Sequence, residues 1–376
     1  MSAPILHVAP FLWSGAGKVI TALASSQARR GPVVVVTTGR HEALGDWPTY
    51  RRALTRAGVR HVAIDTFHRD ASTVWSSAAR LAALLTELRP RVVHGHAGMP
   101  TGIVALARDI AGSRVRLVGQ MYSWGPDRPG WMDSQDLWAF RQADLVVSSA
   151  RAYSRRLREG GVLARRLVYL PWGLDLTALP FRAAADTPDG PPVVGFVGRI
   201  EPRKNQLALV EAFAKLRRAV PGARLELIGP IADDGYARQL TAVITRLGLG
   251  QAVRVTGQVP DVARLVRRWA LFASLSADEG QGLAVLEAMA LGVPVVARRV
   301  AGVEDFLTGG HTGWVSAGAS AAAIAAEMRD ALTDRHAAVI VRRARQMVER
   351  RYDWAVMAGA FERLYRGRGR DARGRA

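Results

Sequence analysis

Short runs of β-branched and other apolar residues alternate along the chain with longer stretches whose apolar positions recur at helical spacing. That alternation is the pattern of parallel strands joined by crossover helices. In the first half it predicts strands at Ile5–Ala9, Val33–Thr37, Val59–Ile64, Val92–His94, Val115–Gly119, Leu145–Val147 and Leu167–Leu170, with amphipathic stretches such as Ser72–Leu88 between them. The segment AAADTPDGPP, Ala183–Pro192, is polar and proline-rich and reads as a linker. Beyond it the pattern restarts at Val193–Val197 and continues through Leu225–Ile228, Val253–Thr256, Leu271–Leu275, Val293–Ala297 and Gly313–Val315. The predicted organisation is two doubly wound α/β domains, 1–182 and 193–350, joined by the linker 183–192. A helix over 351–366 is expected to return to the first domain, and the arginine–glycine tail 367–376, which has no apolar pattern, reads as disordered. Ligands in such sheets sit beyond the carboxyl ends of the strands, so two such domains facing each other would form a cleft.

A length of 376 residues exceeds the usual size of one hydrophobic core, which agrees with two domains. No run approaches the roughly 18 apolar residues of a membrane helix. The start, MSAPILHVAP, enters the first strand with no basic or long apolar leader, and a cytoplasmic protein is expected. The absence of cysteine excludes disulfides, thiolate metal sites and cysteine nucleophiles. The net charge of +20 is almost all arginine, because the only lysines are Lys18, Lys204 and Lys215. Two readings of that charge stand. It is a compositional bias, or clusters such as Arg51, Arg52, Arg56, Arg60 and Arg151, Arg155, Arg156, Arg158 lie against an anionic membrane as a peripheral contact. No recognition motif accompanies the arginines, and nucleic acid is not expected as a partner.

The strongest chemical signal is Asp278–Ala297, DEGQGLAVLEAMALGVPVVA. Glu279 falls in a glycine-punctuated loop, a helix is predicted to begin near Leu283, and Glu287 lies about one turn inside it. Both carboxylates then face a ligand at the helix N-terminus, where backbone N–H groups and the dipole favour phosphate. Gly280 and Gly282 allow close backbone approach, and a helix carboxylate there suits a bidentate bond to ribose hydroxyls. Taken alone, a glutamate pair on a helix reads more simply as solvated charge beside a packed strand.

The surrounding motifs change that balance. In order they are WSGAGK (Trp13–Lys18), VVHGH (Val92–His96), ADLVVSSA (Ala143–Ala150), PWGLD (Pro171–Asp175), GRIEPRKN (Gly198–Asn205), the Glu279–Glu287 segment and RYDW (Arg351–Trp354). This series, spanning almost the whole chain, resembles the large family-4 group of retaining glycosyltransferases, whose GT-B fold has two Rossmann-like domains. The resemblance implies a nucleoside-diphosphate sugar as donor. Arg199 and Lys204 resemble the pair that clamps the donor diphosphate, a forked guanidinium and a compact ammonium facing a leaving group that gains charge. Glu287 resembles the ribose-binding carboxylate and Glu279 the one near the sugar ring, with Gly198, Val259, Gly280, Gln281, Gly282 and Leu283 completing the donor set. Gly15 and Gly17 are expected to bring loop backbone to the phosphates or sugar. Their loop is not a Walker A motif, because Leu12 and Val19 stand where Gly and Ser or Thr belong. By the same resemblance His96 joins Arg199, Lys204 and Glu279 as a catalytic candidate. His94 and His96 show no third ligand nearby in sequence, so neither metal nor cofactor is expected. Gln281, Leu275 and Asn205 depart from the family's usual phenylalanine, proline and glycine, and Gln281 brings a hydrogen-bonding amide beside the expected donor ring.

The loop-like stretch Tyr122–Trp138 concentrates aromatic residues, and Tyr122, Trp124 and Trp131 are the acceptor candidates, against ordinary packing beneath a surface loop. No dedicated nucleophile is evident. The expected reaction is therefore a front-face transfer in which the donor phosphate takes the proton of an acceptor hydroxyl, on a lipid, a polysaccharide or a small metabolite. A nucleotide-sugar 2-epimerase of the same fold and a catalytically idle binding subunit are the competing readings. Intact Arg199, Lys204, Glu279 and Glu287 favour the transferase.

Overall fold

In the computed structural model the apolar runs of the first half pair into a seven-stranded parallel sheet, in the order β3-β2-β1-β4-β5-β6-β7. The strands are β1 (Ile5–Val8), β2 (Val33–Thr37), β3 (Arg60–Ala63), β4 (Val92–His96), β5 (Arg116–Met121), β6 (Leu145–Ser148) and β7 (Leu167–Tyr169). The second half gives a six-stranded parallel sheet, β10-β9-β8-β11-β12-β13. Its strands are β8 (Val193–Val197), β9 (Arg224–Ile228), β10 (Val253–Gly257), β11 (Leu271–Ser274), β12 (Val295–Arg298) and β13 (Trp314–Ser316). The structure describes residues 3–38, 47–125, 128–182, 190–318 and 320–367. The first part of the expected linker, 183–189, and the tail from 368 lie outside them.

Each strand lies within a residue or two of its predicted run, most plainly at β1, β2, β4 and β6, which are buried along their whole length. Two ends differ. β4 runs on through Gly95 to His96, and β12 starts at Val295 because the Val293 N–H is taken by the Ala288 carbonyl at the end of the preceding helix. Helices α1 (Ser14–Ala28), α3 (Ala71–Leu88), α10 (Leu283–Leu291) and α13 (Trp354–Tyr365) matter most below. The α3 start is fixed by Asp70, whose carboxylate accepts from the Thr73 N–H and is held down to about 2 by its bond to Ser72 and that amide.

The chain divides into one unit of Met1–Trp172 with Met357–Ala376, and a second of Gly173–Val356. The second unit thus starts at Gly173 and not after the proline-rich segment. Leu174 and Leu179 are buried in its apolar core, the Arg182 backbone N–H bonds the Leu291 carbonyl, and the Arg182 guanidinium bonds the carbonyls of Arg267 and Trp269 at 2.8 and 2.9 Å. Among the described residues no helix is long and apolar enough to cross a membrane.

Candidate donor site and a buried histidine cluster

In the second sheet β8 pairs with β9 on one side and with β11 on the other, so the winding reverses between β8 and β11. Ligands of doubly wound sheets bind at this reversal, beyond the carboxyl ends of the strands. Past β8 the chain passes Gly198 and Arg199 and makes a 3-10 turn over Pro202–Lys204. Past β11 it forms the loop that leads to α10, which starts at Leu283, with Gly282 at φ 73° as its N-cap. That loop is held from outside by Gly302, where a Cβ would lie 2.6 Å from the Gln281 backbone and from the Glu279 carbonyl. Asn205 joins the two loops by donating from Nδ2 to the Leu275 carbonyl at 3.4 Å. Its φ of 55° explains why glycine is usual there and why asparagine, the non-glycine residue that best tolerates this region, replaces it.

These loops collect opposite charges. Lys204 Nζ lies 2.6 Å from Glu279 Oε1, Arg199 Nη2 lies 2.9 Å from Glu201 Oε1, and Arg203 reaches Glu201 Oε1 at 3.4 Å and Asp278 Oδ2 at 3.2 Å. Burial lowers the Arg199 pKa, with Glu201 opposing it. At Arg203 burial also pulls downward, but Glu201, Glu279 and Asp278 together outweigh it and the net shift is upward. The result is a mostly buried set of cations, each already oriented by a carboxylate, at the sheet's reversal point. Arg203 is an addition to the sequence-derived set; its signal was its place within GRIEPRKN. Gly198, Arg199, Lys204, Glu279, Gly280, Gln281, Gly282 and Leu283 all fall on these two loops and the α10 start, and half-buried Glu287 lies one turn into α10. Val259 is apart from them: it follows β10, two strands from β8, and its side chain packs on the apolar cluster that contains Val285 and Leu286.

In the first unit several expectations need correction. Gly15 and Gly17 are not in a loop but in the first turn of α1. The Gly17 N–H already bonds the Trp13 carbonyl, and a Cβ at Gly17 would meet Leu12 C and Tyr50 Cε2 at 2.8 Å, so close packing accounts for this glycine. Trp124 is 3% exposed, donates from Nε1 to Asp133 Oδ1 at 2.6 Å, and has the Arg156 guanidinium 4.3 Å from its ring. It packs beneath the loop instead of facing an acceptor. The Tyr122 ring stacks on Trp172 with centroids 5.2 Å apart, and its hydroxyl bonds His96 Nδ1 at 2.7 Å. Trp131, at 56% exposure, is the one acceptor candidate that offers its ring to solvent.

His96 is fully buried. Its Nδ1 is bonded by Tyr122 and its Nε2 lies 2.9 Å from His7 Nδ1, so both ring nitrogens are engaged within the protein and neither is open to a sugar hydroxyl in this arrangement. The third histidine that was not apparent in sequence is supplied by the fold. β1–β4 pairing sets His7 beside His94, and His96 follows His94 by two residues on the same face. Burial lowers all three pKa values, that of His7 to about 4, and the rings are neutral near pH 7. The available signal was a histidine interrupting the apolar run of each strand.

Two doubly wound parallel-sheet units, with a cluster of paired charges at the reversal point of the second, define a protein of the GT-B class. The family described as Glycosyltransferase Family 4 matches residues 13–178, and that described as Glycosyl transferases group 1 matches residues 180–353. The chain belongs to this family and is a glycosyltransferase of the GT-B type. It is 28% identical over 292 residues to the glycogen synthase of Mycobacterium tuberculosis, covering 74% of this chain and 69% of the relative. It is 29% identical over 336 residues to the GDP-mannose-dependent alpha-(1-6)-phosphatidylinositol monomannoside mannosyltransferase of Mycolicibacterium smegmatis, covering 81% and 78%. Among solved structures, Anabaena Alr3699/HepE in complex with UDP and glucose superposes with a TM-score of 0.81 at 20% identity, over 97% of this chain and 100% of that one.

Proposed function

We propose that the chain is a retaining glycosyltransferase that moves a sugar from a nucleoside diphosphate to an acceptor hydroxyl. The observation that carries this is the joining of the Arg199–Lys204 turn and the Glu279 loop across the β8–β11 reversal, directly ahead of the α10 N-terminus. A diphosphate entering there replaces Glu279 as the partner of Lys204 and joins Glu201 at the Arg199 guanidinium. Both cations then oppose the negative charge that grows on the leaving phosphate as the glycosidic bond breaks. Glu279, released from Lys204, turns to the sugar hydroxyls, and Glu287 takes the ribose hydroxyls. With no side-chain nucleophile assigned, the acceptor attacks from the face that the diphosphate leaves, and a phosphate oxygen accepts its proton. The UDP complex of HepE and the GDP-mannose dependence in the name of the M. smegmatis enzyme support a nucleoside diphosphate as leaving group and differ in the base. Lipid, polysaccharide and small-metabolite acceptors all stay within this reading, as does a peripheral contact of the basic surface with anionic lipid.

The test is thermal unfolding of the purified chain against a panel of nucleoside diphosphates and their sugar conjugates, followed by NMR of the transfer product. One base is expected to raise the melting temperature selectively, since a ligand that binds only the folded state must stabilise it. The product is expected to keep the donor's anomeric configuration. No shift with any nucleotide would overturn the donor site, and an inverted product would overturn retention.

A further inference from the structure

The three histidines of the first unit do more than fill a core. The geometry points to a metal site formed by His7, His94 and His96 that takes a late first-row divalent cation, zinc above all. One nitrogen from each ring lies within 4.8 Å of the other two, and all three residues are completely buried. Zinc bound by three imidazoles at about 2.0–2.1 Å spaces their nitrogens roughly 3.3 Å apart, which small side-chain rotations reach from here.

The outer nitrogens are arranged as such a site requires. His7 Nε2 lies 2.7 Å from Gln27 Oε1, His96 Nδ1 2.7 Å from the Tyr122 hydroxyl, and His94 Nδ1 2.5 Å from the Tyr365 hydroxyl. Metal-bound histidines nearly always anchor their second nitrogen in this way, which fixes the ring and its tautomer. The His94 ring also meets Gln120, whose hydrogen bond raises the His94 pKa against the downward pull of burial and His7. Gln120 is paired in register with His96 and bonds His94, so a fourth oxygen ligand, from Gln120 or from a water it holds, is at hand. Burial keeps the rings in the neutral form that binds metal.

The proton balance closes. His7 Nε2–H donates to Gln27, which leaves a lone pair on His7 Nδ1 to accept from His96 Nε2–H, while Tyr122 donates to His96 Nδ1. When the cation binds, the protons of His94 and His96 both move from Nε2 to Nδ1 and are donated to the Tyr365 and Tyr122 oxygens. His7 Nδ1, His94 Nε2 and His96 Nε2 then all present lone pairs, and no ring loses a proton overall.

The test does not depend on transferase activity. The full chain is expressed in zinc-supplemented medium and its metal content measured by mass spectrometry; it is then stripped with a chelator and titrated with zinc and with cobalt. About one zinc per chain is expected, with the intense visible bands of tetrahedral cobalt. Tyr365→Phe, which keeps the ring and removes only the outer anchor, is expected to weaken zinc affinity 10–100-fold. His94→Ala abolishes uptake, and His68→Ala, at a half-exposed histidine outside the cluster, leaves it unchanged. If His94→Ala does not fold, Tyr365→Phe decides. Wild-type protein without stoichiometric zinc, or zinc held equally by wild type and Tyr365→Phe, overturns the site.

Discussion

Lys204 Nζ and Glu279 Oε1 lie 2.6 Å apart although 75 residues separate them in sequence. Their side chains are 12% and 14% exposed, so the pair is sheltered but reachable. It ties the turn after β8 to the loop after β11. The two residues are the clearest single link between the GRIEPRKN motif and the Glu279–Glu287 segment.

Replacing either cation of the proposed clamp separates function from stability. Lys204→Ala or Arg199→Ala removes charge stabilisation aimed at the leaving phosphate, and losing one such donor costs about 10²–10³ in kcat, on the order of 3–4 kcal/mol. The cost to folding should be smaller, roughly 1–3 kcal/mol, from a carboxylate left without its partner in a partly solvated site. Turnover and chemical denaturation, measured on the same preparations, check this. If activity falls only as far as the folded fraction falls, these residues form a structural ion pair and nothing more.

Glu287 sits one turn inside α10, half-buried between the buried Leu286 and Ala288. A ribose contact there is made equally in ground and transition states, because the ribose is remote from the breaking bond. Glu287→Gln is therefore expected to raise the donor KM about tenfold while kcat changes little, the signature of lost uniform binding. A fall in kcat at constant KM would instead place this carboxylate at the sugar.

The two tryptophans of the aromatic stretch should behave oppositely. Trp124→Ala empties a buried position flanked by Asp133 and Arg156 and should cost about 3–5 kcal/mol of stability. Trp131→Ala, at an exposed ring, should leave the melting temperature within a degree or two and raise the acceptor KM. An unchanged acceptor KM would remove Trp131 from the acceptor surface.

How much of this could be read in the sequence depended on whether the cause was local. The strands were legible because a parallel sheet buried on both faces leaves uninterrupted apolar runs, as at Val33–Thr37 and Val193–Val197. The α10 start was legible from Gly282 and the periodicity behind it. The second unit's true beginning was not, because Leu174 and Leu179 look like loop residues until the core they enter is assembled. The histidine cluster was half legible: VVHGH shows two rings, but His7 joins them only through the β1–β4 register, which no local pattern encodes. WSGAGK reads as a loop because of its two glycines, whereas Ser14, at φ 55°, starts a helix at once.

The packing around Gly17 sets the effect of adding a methyl group there. In a helix, glycine to alanine normally gains up to about 1 kcal/mol. At Gly17 the new Cβ would lie 2.8 Å from Leu12 C, a backbone atom that cannot swing aside, and 2.8 Å from Tyr50 Cε2, a ring whose hydroxyl is anchored on the Ser14 carbonyl. Overpacking of this kind costs roughly 1–3 kcal/mol and outweighs the propensity gain. Gly17→Ala is thus expected to lower stability while the folded enzyme keeps its donor KM, and Tyr50→Ala should restore part of the loss by opening one side of the contact. A raised donor KM at full stability would mean that the glycine is there for the ligand after all, and that the first turn of α1 does the work first expected of a loop.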